Sequence, residues 1–451
     1  MKKISVIGLG YVGLPTFLVL ANVRIKNSYI YSVSGIEKDD KHGIFIKSCF
    51  ENKKNWIKNN DPTFKKYLKN SFSRKDVVLR TDLNKINDTD IIIVSINFEV
   101  NNSNKNIFSN IVQLSQQIAA KIKKKTLIIF ESTLPPGTCE NIILPVFKKI
   151  LKKRSLNLKD IYFAYAFERV MPGKNYINSI KFNYRCYSGI NKESKIKCRN
   201  FLRTFIDYKK FNLTELNNIT ECESTKILEN SYRAINISLI DEWTKISNIL
   251  NINLPKIINA IKLRPTHSNM MRPGLGVGGY CLTKDPTFIN FSLKNFFNKK
   301  ASFPIISNAM KVNSNMEKTS LNYIMSKVNK LNKKKILLCG LTYKEDTADF
   351  RFSPSITLLK LLKKKGGVIS VHDPYIEKNK NLFKNYNIEK KFNGKKYDLI
   401  IFCTSHQKFN KIRPNDIAKK TIIFDVNKSL TTKQIDLFNK KKYKLNILGA
   451  N

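Results

Sequence analysis

The residue of this 451-residue chain best suited to covalent chemistry is Cys281, in the run GVGGYCLTKDP at 276–286. Glycine has no Cβ, so the glycines before the thiol should let a ligand approach it closely. Lys284 and Asp285 add charge nearby, and a neighbouring cation favours the thiolate, which is the reactive form of cysteine. A lone cysteine is more often a small buried hydrophobic residue. The glycines and charges favour a reactive thiol here.

Two polar clusters each follow a predicted strand, where ligand crevices form in α/β sheets. Ser132 and Thr133 stand in ESTLPPGT at 131–138, and their hydroxyl groups could hold a nicotinamide ring or ordered water. Glu168 and Arg169 stand in FERVMPG at 167–173. An ordinary turn and a surface ion pair are the alternative interpretations. The position of both clusters after strands favours a functional one.

Two further clusters carry cations. Glu223, Lys226 and Asn230 are three and four residues apart, so they share one face of a helix. A lysine and an asparagine one turn apart can donate hydrogen bonds to a developing oxyanion, although such residues often form a solvated helix face. Lys344 and Arg351 follow a predicted strand and precede a predicted helix, a location that suits phosphate binding.

The elements at the N-terminus predict a dinucleotide-binding fold. A buried strand at 3–7 leads into GLGYVG at 8–13, with glycines at Gly8, Gly10 and Gly13. A helix-compatible run at 14–23 and a second strand at 29–36 follow, ending at the acid Glu37. Glycines permit the tight turn and close approach of a pyrophosphate to the helix N-terminus. An acid that accepts hydrogen bonds from the adenosine ribose favours NAD over NADP.

The rest of the chain alternates short apolar strands with helical patterns. The stretch 38–80 gives no clear assignment, 218–250 is one long helix or a broken pair, and 313–332 is a polar stretch. The predicted strands are 90–96, 126–130, 160–164, 335–340, 368–371, 398–403 and 421–425, with a helix at 355–365. We predict an α/β protein with two doubly wound Rossmann-like domains joined by a central long-helix domain. The expected segments are 1–210, 211–318 and 319–451.

Composition restricts the function classes. The formal net charge of +47 would suit nucleic acid or an anionic membrane. The lysines are nevertheless spread along the whole chain, so we expect no nucleic-acid partner. No apolar run reaches the roughly 20 residues of a membrane helix, and the N-terminus lacks a signal-peptide pattern. The eight cysteines form no C-x-x-C pair, so neither a metal site nor a disulfide framework is indicated. A cytoplasmic location is expected.

Five motifs, in order along the chain, resemble those of the UDP-glucose/GDP-mannose dehydrogenase family. They are GLGYVGLP at 8–15, STLPPGT at 132–138, CESTKILEN at 222–230, GGYCLTKD at 278–285 and YKEDTADFRFSP at 343–354. One of them alone could arise by chance. Five in the family's order cover nearly the whole chain and make the resemblance specific.

The resemblance implies oxidation of a sugar C6 alcohol to a carboxylate with two NAD⁺, through a thiohemiacetal and a thioester on Cys281. It implies oxyanion stabilisation by Lys226 and Asn230, and water or proton handling by Asp285, Glu168 and Thr133. The implied cofactor contacts are Gly8, Gly10, Tyr11, Val12, Gly13, Glu37, Ser132 and Thr133. The implied substrate contacts are Glu168, Arg169, Lys226, Asn230, Gly278, Lys344 and Arg351, with Arg264 from a neighbouring subunit.

The resemblance also implies a homodimer through the central helices. The run Glu168-Arg169-Val170-x-Pro172-Gly173 is similar to the branch that acts on UDP-N-acetylhexosamines, with UDP-glucose or GDP-mannose as alternatives. Departures from the family pattern occur at 95–98, where Ser-Ile-Asn-Phe replaces Val-Pro-Thr-Pro, and in the segment 38–69. Further departures are Cys222, Asp241 and Thr283. The rival functions are a single-step hydroxy-acid dehydrogenase and a homologue that binds without catalysis.

Overall fold

The computed structural model describes residues 1–57, 61–98 and 107–450. Contacts within the chain define two compact units. The first comprises Met1–Glu229 and Thr287–Ser302, and the second comprises Asn230–Pro286 and Phe303–Asn451.

The first unit contains an eight-stranded sheet in the order β8-β7-β6-β5-β4-β1-β2-β3. All neighbouring strands are parallel except β6 and β7. The strands are β1 Lys2–Ile7, β2 Tyr31–Ile36, β3 Val77–Arg80, β4 Ile91–Val94, β5 Leu127–Phe130, β6 Tyr162–Tyr165, β7 Arg185–Gly189 and β8 Leu213–Glu215. The order 3-2-1-4-5-6 of its first six strands is that of a dinucleotide-binding fold.

Helices cover both faces of this sheet because its strands are apolar on both sides. One core cluster joins β1 to helices α1, α2, α3, α6 and α7, and the other joins β4 and β5 to α4, α5 and the start of α8. The helices are α1 Gly13–Ala21, α2 Lys41–Glu51, α3 Pro62–Phe72, α4 Ser109–Lys121, α5 Leu144–Lys153, α6 Asn178–Lys181, α7 Lys192–Leu202 and α8 Ile219–Leu250. The stretch 38–80, which the sequence left unassigned, contains α2, α3 and β3.

The second unit contains a six-stranded, all-parallel sheet in the order β11-β10-β9-β12-β13-β14. This is again the 3-2-1-4-5-6 arrangement. The strands are β9 Lys335–Cys339, β10 Val368–His372, β11 Asn387–Ile388, β12 Leu399–Phe402, β13 Ile422–Asp425 and β14 Leu445–Ile447. Two core clusters occupy its two faces, so the predicted fold class is confirmed.

Helix α8 is one continuous 32-residue helix rather than a broken pair. The remaining helices, α9 to α14, are in the second unit except for α10, which is in the first. They are α9 Leu254–Ile261, α10 Phe288–Phe296, α11 Pro304–Asn313, α12 Met316–Lys327, α13 Pro354–Lys364 and α14 Thr432–Lys440. The supposed polar stretch 313–332 is mostly α12, whose buried positions were masked by polar neighbours. Among the described residues, no helix combines the length and hydropathy needed to cross a bilayer.

Candidate active site

The glycine loop between β1 and α1 has the shape expected of a pyrophosphate site. Gly8 has φ +86°, and a Cβ on Gly13 would overlap the Gly8 carbonyl oxygen, so both positions require glycine. Gly10 differs, since a Cβ there would meet no described atom within 4 Å. The Glu37 carboxylate accepts a hydrogen bond from the Leu9 amide (2.8 Å) and therefore lies against the loop. Two glycines shape the turn, and the third leaves open space beside it.

The start of α1 offers backbone donors to this space. Val12 occupies the N-cap position, and among the described side chains none caps the helix. Uncapped amides at a helix N-terminus favour an anion such as a pyrophosphate. The Tyr11 carbonyl accepts a hydrogen bond from the Tyr176 hydroxyl (2.6 Å), which holds the loop in place. The residues present fit a dinucleotide.

Two matched substitutions separate the roles of these glycines. We expect Gly10→Ala to leave the melting temperature within about 1 °C and to weaken NAD binding about 10- to 100-fold, because only a ligand would meet the new methyl group. Gly13→Ala should lower the melting temperature as well, because its methyl group overlaps the protein's own backbone. Differential scanning fluorimetry and calorimetric titration with NAD measure both effects. Undiminished NAD affinity in Gly10→Ala would contradict this placement of the pyrophosphate.

A buried ion pair lies at the end of β5, and no sequence pattern indicated it. Glu131 and Arg185 are 3% exposed each, with Oε1 and Nη1 2.7 Å apart. Ser95 donates to Glu131 Oε2 at 3.0 Å and Thr16 does so at 3.4 Å. Burial raises the pKa of Glu131, although Arg185 opposes the shift. The departure at Ser95 thus supplies a partner for this buried carboxylate.

The next two residues in the chain, Ser132 and Thr133, are the hydroxyls predicted to meet the cofactor. The Ser132 hydroxyl donates to the Ile96 carbonyl (2.7 Å) and so ties the end of β5 to the end of β4. The Ser132 carbonyl accepts from the Tyr165 hydroxyl (2.9 Å). Thr133 is half-buried beside them. Ser132 therefore has a structural bond, and its oxygen retains acceptor capacity.

At the end of β6, Glu168 and Arg169 do not pair with each other. The Glu168 carboxylate accepts from the Val170 amide, and its backbone carbonyl accepts from Lys226 Nζ at 2.7 Å. Arg169 instead binds Glu229 on α8 through Nε (2.8 Å) and Nη2 (2.7 Å), and it donates to a backbone carbonyl through Nη1. Helix α8 thus holds this strand end through Lys226 and Glu229, one turn apart by number.

Glu223, on the same helix, has a different function from Lys226. It is fully buried and accepts from the amides of Gly137 (2.6 Å) and Cys139 (2.9 Å). Burial raises the pKa of Glu223 to about 8. Its contacts fix α8 to the turn of the 131–138 motif, which is a structural role.

In the second unit, the Cys281 thiol is exposed, whereas six of the other seven cysteines are buried. The Cys281 carbonyl accepts from the amide of Asp285 (2.9 Å), which closes a turn. Asp285 is fully buried, and its carboxylate accepts from Asn230 Nδ2 (2.7 Å) and Lys284 Nζ (2.9 Å). The structure thus brings together Cys281, Asp285 and Asn230, as the sequence predicted.

The glycines before Cys281 have a structural purpose that the sequence did not predict. A Cβ on Gly278 would lie 2.7 Å from Tyr343 Cβ and 2.9 Å from the Phe352 carbonyl oxygen. Gly279 has φ +78°, and its Cβ would lie 2.7 Å from the Tyr343 ring. These glycines let the thiol loop pack against the segment 343–354, and their role in admitting a ligand stays a prediction.

That segment carries Lys344 and Arg351. Arg351 bonds the Asp349 carboxylate through Nε (2.9 Å) and Nη2 (2.7 Å), and its guanidinium lies 5.0 Å from the centre of the Tyr280 ring, next to Cys281. Lys344 is half-buried, and burial lowers its pKa. The cations predicted to bind phosphate are therefore adjacent to the thiol loop.

Arg264 follows the end of α9 in the chain. It is exposed and precedes a short 3₁₀ turn at Pro265–His267. An exposed position is compatible with the expectation that it serves a neighbouring copy.

Two carboxyl groups behind the thiol loop were not predicted. Glu317 is 8% exposed, and its Oε1 would lie 3.5 Å from a Cβ on Gly276. Asp241 is buried nearby and pairs with Lys245 at 2.7 Å. Burial raises the pKa of Glu317 to about 7, and the Asp241 charge adds to the shift. The sequence could not indicate the burial of Glu317, because its helix is rich in polar residues.

Glu317 should make the second unit less stable as pH rises. Its pKa in the folded state lies above the ordinary value of 4.5, so the folded state loses stability between about pH 4.5 and pH 7. We expect Glu317→Gln to unfold with a free energy about 2 kcal/mol higher than wild type at pH 8, and with little difference at pH 4.5. Urea unfolding followed by Trp243 fluorescence in a Trp56→Phe background measures this. The exposed Glu51→Gln serves as the control, and parallel pH curves for wild type and Glu317→Gln would contradict the expectation.

Comparison with known proteins identifies the family. Residues 2–205 match the NAD binding domain of the UDP-glucose/GDP-mannose dehydrogenase family, residues 220–315 match its central domain, and residues 337–432 match its UDP binding domain. The chain belongs to this family. It is an NAD-dependent nucleotide-sugar dehydrogenase, and the expected cofactor and class of substrate are confirmed.

Among the relatives of this dehydrogenase is a UDP-N-acetyl-D-mannosamine dehydrogenase of Methanococcus maripaludis. It is 31% identical over 100% of this chain and 97% of its own length. The solved UDP-N-acetyl-mannosamine dehydrogenase Cap5O of Staphylococcus aureus has a TM-score of 0.76 and 25% identity, covering 99% of this chain and 98% of that one. A UDP-D-ManNAc dehydrogenase structure from Pyrococcus horikoshii has a TM-score of 0.80 at 24% identity, over 99% of both chains, and shows the shared fold.

Proposed function

We propose that this enzyme oxidises the C6 alcohol of a UDP-N-acetylhexosamine to the uronate. The observation that carries the proposal is the exposed Cys281 thiol, in a loop that packs against the segment 343–354, which carries Lys344 and Arg351. The same chain has an NAD-binding loop. The relatives support the N-acetylated sugar, because those named above act on UDP-N-acetylmannosamine. The run at Glu168-Arg169-Val170 supports the same substrate class.

NAD fits the residues of the first unit. Gly8, Gly10, Tyr11, Val12 and Gly13 would hold its pyrophosphate, and Glu37, with Ser132 and Thr133, would complete the contacts at the strand ends. Bound NAD⁺ supplies the hydride acceptor, and two equivalents are required because a primary alcohol loses four electrons on its way to a carboxylate.

The covalent steps take place on Cys281. The C6 alcohol loses a hydride and a proton to give an aldehyde, and the thiolate sulfur adds to the aldehyde carbon to form a thiohemiacetal. Loss of a second hydride and proton leaves a thioester. Water then attacks the thioester carbonyl and expels the thiolate, so the carboxylate leaves and Cys281 is restored. The covalent bond retains the aldehyde between the two oxidations.

The neighbouring side chains have roles suited to these steps. Lys226 and Asn230 would donate to the oxygen that gains negative charge at C6. Asp285, held by Asn230 and Lys284, would orient the attacking water or accept its proton, and Glu168 and Thr133 would assist proton movement. The observed bonds orient Lys226, Asn230, Asp285 and Glu168 for these roles.

Substrate contacts would come from the remaining cations and the thiol loop. Lys344 and Arg351 would bind the anionic part of the substrate. Gly278 would let the substrate approach the backbone of the thiol loop closely. Arg169 would contact the sugar and keep the Glu168 loop in position. Arg264 would act on the substrate of a neighbouring copy. These assignments follow the family motif residue by residue.

A sugar panel tests the proposed function. NADH release is followed with UDP-N-acetylmannosamine, UDP-N-acetylglucosamine, UDP-glucose and GDP-mannose. Two NADH per sugar and the highest kcat/KM for an N-acetylated sugar are expected. One NADH per substrate would support a single-step dehydrogenase, and a preference for UDP-glucose would replace the N-acetylhexosamine assignment.

We also propose a homodimer through α8. An exposed stripe runs along this helix with alternating spacings of four and three, the pattern of a helix-pairing seam. Its members are Leu228, Tyr232, Ile235, Leu239, Glu242, Ile246 and Ile249. Five of them are hydrophobic and 40–82% exposed, and Ile235 is half-buried. A second copy of the same stripe would cover this apolar surface.

Leu239→Glu should separate the two copies, because it places a charge in the middle of the stripe. Light scattering after size exclusion should give twice the 52.1 kDa chain mass for wild type and the single-chain mass for the variant. The control is Ile25→Glu, an exposed apolar residue of the short Arg24–Tyr29 hairpin, which is not part of α8. If Leu239→Glu keeps the wild-type mass, this seam is not the interface.

The remaining proposals concern location and domain limits. We propose a cytoplasmic enzyme, because its NAD and UDP-sugar substrates are cellular metabolites. We further propose that 1–210 binds NAD, 211–318 carries the thiol loop and the dimer helix, and 319–451 binds the UDP-sugar.

A further inference from the structure

A buried polar cluster lies at the carboxyl ends of three strands in the second sheet. It consists of Thr342 and Asp346 after β9, Asp373 after β10 and His406 after β12. Strands β9 and β12 are neighbours at the point where the strand order reverses, which is where open α/β sheets bind ligands. None of these four residues has a role in the proposed chemistry.

His406 is fully buried and uses both ring nitrogens. Nδ1 lies 3.0 Å from the Asp346 amide, and because an amide can only donate, Nδ1 accepts. The ring proton is therefore on Nε2, which lies 3.1 Å from Asp373 Oδ2 and 3.2 Å from the Thr342 hydroxyl. The tautomer of His406 is thus fixed by a backbone donor on one side and a carboxylate on the other.

The same cluster controls the loop that carries Lys344. Asp373 Oδ2 accepts from the Leu341 amide (2.6 Å), and the Thr342 hydroxyl donates to the Lys344 carbonyl (2.9 Å). Asp346 has φ +52°, a left-handed conformation that costs free energy for a residue with a side chain. The bond from the Asp346 amide to His406 holds that conformation in place.

We propose that His406 is a positioning residue for UDP-sugar binding, acting with Asp373 to fix the 341–346 loop and thereby Lys344. This inference rests on the proposed function, in which Lys344 contacts the substrate. His406 contacts the backbone at Asp346 and, through Thr342, the backbone at Lys344, so its loss would release both ends of the turn. A histidine that only filled space would need neither of its two directed bonds.

Two variants of His406 each remove one of its two ring hydrogen bonds and keep the other. In His406→Asn, the amide oxygen can take the place of Nδ1 and accept from Asp346, but the bond from Nε2 to Asp373 is lost. In His406→Gln, the amide nitrogen can take the place of Nε2 and donate to Asp373, but the acceptor for Asp346 is lost. His372→Asn is the matched control, because His372 is also a buried histidine of this sheet and bonds Glu389 at 2.7 Å, outside the cluster.

Calorimetric titration with UDP-N-acetylmannosamine and with NAD is the first measurement. We expect both His406 variants to weaken UDP-sugar binding about 10- to 100-fold, with NAD affinity and kcat within about twofold of wild type. His372→Asn should lower the melting temperature without changing either affinity. Unchanged UDP-sugar affinity in both His406 variants, or an equal loss in His372→Asn, would overturn the proposal.

Hydrogen exchange of the amides at 341–346 is the second measurement and needs no ligand. Exchange should be at least about tenfold faster in both His406 variants and unchanged in His372→Asn. If the wild type bound no UDP-sugar, the proposed function would fail, and this exchange experiment would still decide whether His406 fixes the loop. Wild-type exchange at 341–346 in both variants would refute the positioning role.

Discussion

Cys281→Ser should reduce uronate formation by about 10³-fold or more, the scale of losing a covalent nucleophile. Serine has a similar size, so the exposed position and its turn to Asp285 should remain intact. An alcohol is a much weaker acid than a thiol, so the serine hydroxyl supplies almost no alkoxide to add to the aldehyde, and the second oxidation should stop. The first oxidation should remain possible.

The expected signature is therefore a change of product as well as of rate. With an aldehyde-trapping amine in the assay, Cys281→Ser should release close to one NADH per sugar, whereas wild type releases two. Cys49→Ser is the matched control, because Cys49 is the partly exposed thiol farthest by sequence from the site. Full uronate production by Cys281→Ser at the wild-type rate would exclude the covalent mechanism.

The dinucleotide fold could be predicted because its local pattern coincides with its tertiary role. Gly8 needs a left-handed conformation and Gly13 cannot carry a Cβ, so each glycine is visible in the sequence for the same reason that it is needed in the fold. The segment 38–80 escaped because polar residues dominate the exposed faces of α2 and α3. The buried set of α2 is only Gly43, Ile46 and Phe50, too few to give a clear period.

The site shows a different limit. Cys281, Asn230 and Asp285 were expected together, and the bond from Asn230 to Asp285 joins residues 55 apart in the chain. Glu131 and Arg185 were not expected, because a pair 54 residues apart has no spacing that marks it. The packing role of Gly278 and Gly279 was not predicted for the same reason. The backbone that packs against them comes from 343–354, and only the folded chain reveals which atoms approach.

Asp285→Asn should stop the reaction after the second oxidation. Asp285 is fully buried, and its two carboxylate oxygens accept hydrogen bonds from Asn230 and Lys284. The substitution removes the negative charge, and the new amide NH₂ group then faces one of these two donors. We expect kcat to fall about 10²- to 10³-fold, the range for loss of a general base. Addition of the thiolate and both hydride losses need no base at this position, so they should continue.

A pre-steady-state assay distinguishes this role from a structural one. Asp285→Asn should give a burst of two NADH per active site, followed by slow turnover, and intact-protein mass spectrometry should find the sugar nucleotide attached through Cys281. Asp349→Asn is the matched control, because Asp349 is a buried carboxylate of the same unit and pairs with Arg351. This substitution should raise KM without producing a burst. A fall in kcat with neither burst nor adduct would place Asp285 before the thioester. In that event the carboxylate would serve the first proton removal, and the water would be activated by Glu168 or Thr133 instead.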